Sequence, residues 1–88
     1  MNALNKPVEM ICVCDAQGEI SPARFRVETE DQSMLVVRIR RIEQRKRIDY
    51  VGIETLQYIC AAVIGGIEYR FELRYSIRAH RWVLWRLI

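Results

Sequence analysis

The chain reads as one small all-β domain, an antiparallel, partly open barrel or sandwich of five to six strands. Three observations point there. From Glu68 to Ile77 the residues alternate without a miss, with Tyr69, Phe71, Leu73, Tyr75 and Ile77 on one face and Glu68, Arg70, Glu72, Arg74 and Ser76 on the other. Period two marks a strand with one face buried. Gly65-Gly66 stands between Ile64 and Ile67, and glycine reaches the positive φ of a two-residue hairpin loop without a Cβ clash. The rest of the chain repeats short β-prone segments separated by turn residues, which suits a small barrel or sandwich.

The elements follow in order. Met1 to Pro7 is mostly polar and is expected to be a loosely ordered or disordered tail, leaving 8–88 as a single domain. Val8 to Cys14 is apolar apart from Glu9 and reads as a strand, with Val8, Met10, Cys12 and Cys14 on one face and Ile11 and Val13 on the other. Asp15-Ala16-Gln17-Gly18 is a turn, and Ser21-Pro22 interrupts pairing again. Ala23 to Thr29 is a second strand with Phe25 and Val27 inward, and Glu30 to Ser33 turns the chain. Met34 to Ile42 is a third strand with Leu35, Val37 and Ile39 inward. The adjacent Arg40-Arg41 calls for a β-bulge that returns Ile42 to the inner face. A short helical stripe also fits Leu35, Ile39 and Ile42. Glu43 to Gly52 reads as a polar, basic connection.

The segment from Thr55 to Ile77 organises the fold. With Gly65-Gly66 as the loop, Ala62 faces Tyr69, Cys60 faces Phe71, Tyr58 faces Leu73 and Leu56 faces Tyr75. A one-residue slip would turn the aromatic row towards water. Leu56, Ile59, Cys60, Val63 and Ile64 also fit helical spacing, but a diglycine between β-branched residues favours the hairpin. Arg78 to Arg81 forms the next turn, pairing Ile77 with Trp82 and Tyr75 with Leu84. The last strand, Trp82 to Ile88, is apolar on both faces, with Val83, Trp85 and Leu87 pointing outward. The expected core is Phe25, Val27, Val37, Ile39, Tyr58, Cys60, Phe71, Leu73, Tyr75, Trp82 and Leu84.

Composition narrows the function classes. Residues 1–37 carry net charge −3 and residues 38–88 carry +6. That asymmetry hints at an anionic partner. No apolar h-region precedes the first strand and no stretch approaches ~20 apolar residues, so neither a secretory signal nor a membrane span is expected. Three cysteines, an odd number, argue against a disulfide framework and for the cytoplasm.

Chemistry-bearing constellations are sparse. Cys12 and Cys14 share a strand face, but with Cys60 and His80 they offer no paired zinc knuckle. No metal or cofactor is expected, and buried thiols packing as small hydrophobes is the favoured reading. His80 lacks an orienting carboxylate and a nucleophile at recognisable spacing, so no catalytic residue and no small-molecule substrate is expected. Tyr58, Tyr69, Phe71, Tyr75 and Trp82 could offer a base-stacking platform, but they fall on the inward face and read as core, whereas Trp85 faces outward as an interface anchor. Arg38, Arg40, Arg41, Arg45, Lys46 and Arg47 place six cations in ten residues, offset by Glu43. They form either a ridge that tracks a phosphate backbone or a solvated strand and loop whose charges guard an edge.

Ala23-Arg24-Phe25-Arg26-Val27, then Tyr69-Arg70-Phe71-Glu72-Leu73-Arg74-Tyr75 and Arg81-Trp82-Val83-Leu84, are similar to segments of a group of short, uncharacterised bacterial proteins. That group resembles small all-β domains sometimes encoded beside Y-family (translesion) DNA polymerases. The similarity spans most of residues 8–88 and consists of strand-pattern positions. It implies a non-catalytic accessory role in a nucleic-acid context and carries no active-site residue. The expectation is therefore a non-catalytic interaction module that self-associates through Val83, Trp85, Leu87 and Ile59. The alternative is a nucleic-acid-binding barrel using the 38–47 stretch.

Overall fold

A computed structural model describes residues 3–88; the expected tail thus has Met1 and Asn2 outside the described residues. Seven strands form one antiparallel sheet: β1 (Lys6–Cys14), β2 (Ile20–Glu28), β3 (Met34–Arg38), β4 (Arg41–Tyr50), β5 (Ile53–Ile64), β6 (Ile67–Ser76) and β7 (Arg81–Leu87). Their order across the sheet is β3-β2-β1-β7-β6-β5-β4. The all-β expectation holds, with seven strands instead of five or six. Neither helical alternative forms. β1 begins at Lys6, and the amides of Leu4 and Asn5 donate to the Trp85 carbonyl.

The sheet curls until its two edge strands, β3 and β4, meet as one bent chain. Successive amides of an extended chain point to opposite sides. Ile39 N donates to Ala23 O on the β2 side at 3.0 Å, and Arg40 N donates to Ala61 O on β5 at 2.8 Å. β3 consequently lies against β5, closing the half-barrel at that end. The sequence pattern carries one strand through Ile42; the bend at Ile39-Arg40 divides it, and the second part runs on to Tyr50. The segment expected as a basic connection is therefore strand β4.

Three β-bulges shape the curl. Ala23 is the extra residue where β2 passes from Arg24 opposite Ile11 to Pro22 opposite Cys12. Proline has no amide to donate, so Pro22 sits well beside such an interruption. Glu43 is the extra residue between Ile42 opposite Cys60 and Gln44 opposite Ile59, whereas the sequence pattern places a bulge at Arg40-Arg41. Ile42 does pack against the core, as that pattern requires. Trp85 is the extra residue between Leu84 opposite Leu73 and Arg86 opposite Glu72. A bulge bends its strand and re-aims the side chains beyond it.

The β5–β6 hairpin has the expected register throughout, from Ile64 opposite Ile67 to Leu56 opposite Tyr75. Gly65 and Gly66 take φ of 59° and 81°, the positive pair that a type I′ loop requires. The β6–β7 register differs: Tyr75 faces Trp82 and Leu73 faces Leu84, because the loop is Ile77 to His80. A slip of two residues preserves faces, so Trp82 and Leu84 still enter the core.

The core cluster holds Phe25, Val27, Val37, Tyr58, Cys60, Ala62, Phe71, Leu73, Tyr75, Trp82 and Leu84, with Ile39 packed against it. Phe25 meets Phe71 edge-on at 5.6 Å, and Trp82 stacks between Tyr58 and Tyr75 at 5.4 and 4.8 Å. Each fully buried large side chain contributes about 1.5–3 kcal/mol.

The β4–β5 loop contains local strain. Val51 and Gly52 form a two-residue turn with φ of 51° and 77°. A β-branched residue is disfavoured at positive φ, while asparagine tolerates it. Val51 is 84% exposed and loses no packing on replacement. Val51→Asn is expected to stabilise the protein by about 1 kcal/mol, read as a higher urea midpoint at unchanged m-value.

Candidate functional site

Three surfaces gather the polar and reactive groups. The first is the mouth of the half-barrel beside β4. Directly opposite residues share a face, so Arg45 and Arg47, opposite Tyr58 and Leu56, point to the concave side. The Glu43 bulge causes this; unbroken alternation from Ile42 would have turned Lys46 inward instead. The Arg45 guanidinium lies 5.7 Å from the Tyr58 ring centroid, pairs with Glu19 at 3.2 Å and reaches Ile20 O at 3.4 Å. The Tyr58 hydroxyl donates to the same carbonyl, and burial raises its pKa. These contacts tie the tip of the β1–β2 hairpin to β4 and β5. They bound a cleft of about 590 Å³, whose far wall includes Tyr75 and His80. The Tyr75 hydroxyl and His80 Nδ1 share a hydrogen bond of 2.9 Å. His80 adopts φ of 56° at this rim.

The second surface is the convex face of β4 to β7. Glu72 is fully buried there. Arg74 Nε and Arg86 Nε donate to its two carboxylate oxygens, each at 2.6 Å, and Gln57 Nε2 donates at 2.8 Å. The Arg74 guanidinium lies 4.0 Å from the Trp85 ring centroid. Burial alone raises the Glu72 pKa, but the donors from Gln57, Arg74 and Arg86 outweigh it, and the net shift is downward. Beside this hub runs a chain of ion pairs in which Arg41 bonds Glu68 and Glu43, and Glu43 bonds Arg70. The Glu68, Arg70, Glu72 and Arg74 alternation reads in the sequence as surface charge. What buries Glu72 is its cover of long side chains.

The third surface is the outer part of the β1–β2 hairpin. β1 pairs with β7 only from Lys6 to Val8. Beyond that, β1 pairs with β2 alone. Ile11 and Val13 are 53% and 58% exposed, and Cys12 and Cys14 are exposed. The expected buried thiols are thus borne out only at Cys60, which is fully buried and whose pKa burial pushes up to about 12.

The six cations of 38–47 do not form one ridge. Arg41, Arg45 and Arg47 are engaged, by Glu43 and Glu68, by Glu19 and by Glu54. Among the described residues, Arg38, Arg40 and Lys46 have no salt-bridge partner. Arg38 lies on β3 opposite Arg24, because Glu28 pairs with Met34 and residues 29–33 form the connection; the Glu30–Ser33 turn expected from the sequence would instead have set Arg24 opposite Ile39. Of the four apolar interface candidates, Ile59 is buried, Val83 and Trp85 are half-buried, and Leu87 is 48% exposed. The Trp85 bulge turns Leu87 to the concave side opposite Phe71, which corrects its expected outward orientation. It lines an apolar opening of about 350 Å³ with Leu4, Tyr69 and Ile64.

Among the described residues, no three His, Cys, Asp or Glu side chains gather as a metal site. Among the described residues, no helix is long and apolar enough to cross a membrane. No family model, curated protein or solved structure matches the chain.

The Glu72 hub has a testable energetic signature. Its folded pKa lies below the ordinary value near 4.3. Its stabilisation is therefore complete above that value and is lost as pH falls through the lowered folded pKa. Glu72→Gln should cost about 2–3 kcal/mol at neutral pH. The stability gap between variant and parent, from urea titrations, should narrow below about pH 4.

Proposed function

We propose that this protein is a non-catalytic interaction module that self-associates, with the free edge of β1 as its contact surface. The observation that carries this reading is the segment Met10 to Cys14. It is uncharged, exposed from Ile11 onward, and unpaired on the side that β7 leaves open. Exposed edges normally carry charge, proline or cover that blocks pairing with another chain. The free edge of β4 has such protection in Arg45, Lys46 and Arg47, whereas the β1 edge has none between Glu9 and Asp15. Two antiparallel β1 edges related by a twofold axis would bury this run isologously. The last strand and Ile59 of β5 are less suited to the task, because Ile59 is buried and Val83 and Trp85 are half-buried. Exposed thiols at Cys12 and Cys14 fit a reducing compartment such as the cytoplasm.

A second reading, nucleic-acid binding, is supported by Arg38, Arg40 and Lys46, which have no salt-bridge partner among the described residues. It expects affinity that falls steeply with salt.

Light scattering coupled to size exclusion tests self-association. The parent should elute at about twice the 10.5 kDa chain mass. Val13→Lys should elute as a monomer with an unchanged far-ultraviolet spectrum. A mild oxidant should trap a covalent dimer that the paired variant Cys12→Ser, Cys14→Ser does not form. A parent chain that stays monomeric at millimolar concentration contradicts the reading.

A further inference from the structure

We propose that Arg24 and Arg38 together form a binding site for a phosphate group borne by a nucleotide unit, either free or within a single strand. This deepens the second reading above and adds Arg24, which lies outside the 38–47 stretch.

The argument begins with the β2–β3 register. Arg24 and Arg38 are direct cross-strand partners, and Ile11 is opposite Arg24 on its other side. Side chains so placed have Cβ atoms about 4.5–5.5 Å apart, and like charges there destabilise a sheet. Neither arginine has a salt-bridge partner among the described residues. The same hairpin shows the ordinary solution next door. Arg26 faces Glu9 across β1 and pairs with it at 3.0 Å. That pairing engages the carboxylate that shares this groove, and Arg24 and Arg38 stand opposite one another without a salt bridge among the described residues.

The surroundings suit a particular ligand. Arg24, Arg26 and Arg38 line a groove of about 640 Å³ at the seam where β3 approaches β5. Ile11, Val36 and Val63 form its apolar flank and are 53%, 52% and 39% exposed. Two arginines at directly opposed positions on adjacent strands can both reach the oxygens of one phosphate, to which arginine donates bidentately. The apolar flank offers contact to a sugar or base beside it. The bound anion would relieve the repulsion between the two cations, so binding and stability are coupled in opposite directions at these positions.

That coupling separates a ligand site from a structural pair. Replacing one arginine with glutamine removes the repulsion and should raise the Tm of the unliganded protein by about 2–6 °C. The same Arg38→Gln change should weaken binding of a fluorescent oligothymidylate by roughly 5–20-fold and lower its log–log salt slope by about 0.7. Arg24→Gln should behave alike. Oligothymidylate binding untouched by these variants but lost in the paired variant Arg40→Gln, Lys46→Gln overturns the site and leaves the nucleic-acid reading standing. Thymidine monophosphate and inorganic phosphate, followed by the side-chain Nε resonances of Arg24 and Arg38, distinguish the sources. Shifts with these probes and no oligothymidylate binding support the site and fail the nucleic-acid reading. No shift with any of the probes overturns the site.

Discussion

Two hydrogen bonds from consecutive residues hold the molecule in its curled form. Ile39 N reaches β2 and Arg40 N reaches β5, so a single bent chain serves both edges of one sheet. β3 and β4 stand at opposite ends of the strand order, and the two-residue link at Ile39-Arg40 brings those ends together. The crossing demands little of the side chains, because opposite amide directions are inherent in extended backbone. It does demand close approach, and Ala61 and Ala62, both fully buried, supply it where β5 receives the crossing.

The crossing and the bulges decide where charge goes. Upstream of the bend, Arg38 stands opposite Arg24 at the seam. Downstream, the Glu43 bulge sends Arg45 and Arg47 to the concave mouth, while Arg41 joins the ion pairs of the convex face. Four of the six cations of 38–47 are thereby distributed over three surfaces. Trp85 plays the same part in β7. As the extra residue it leaves Arg86 opposite Glu72 and returns Leu87 to the concave side. The Glu72 hub on one face and the apolar opening on the other both depend on that one residue.

Much of the fold was legible because its central hairpin is overdetermined. Gly65-Gly66 sets the loop, and a row of large apolar residues on one face of β6 penalises any slip by one. The expected core follows from the same alternation. β4 was illegible for a physical reason: it is an edge strand rich in arginine and lysine, with a bulge that breaks its period. The valine turn at Val51-Gly52 hid the second hairpin, since it lacks the usual asparagine or glycine pair. The β6–β7 slip by two was invisible because it exchanges no faces. Of the site features, the pairing of Arg24 with Arg38 was hidden, because the expected Glu30–Ser33 turn is one residue shorter than the 29–33 connection and shifts the register by one. The burial of Glu72 was hidden too, since its cover comes from side chains on three strands. The exposure of Cys12 and Cys14 depends on where β7 ends, which no local pattern in β1 records.

Amide hydrogen exchange at Ile39 and Arg40 tests the closure most directly. If the half-barrel is held shut at this crossing, both amides exchange only through global unfolding, with protection matching Cys60 and Leu73 at the centre of the core. Exchange at the rate of the exposed Gly18 turn, while the β5–β6 core stays protected, would show that these two hydrogen bonds do not hold the seam closed.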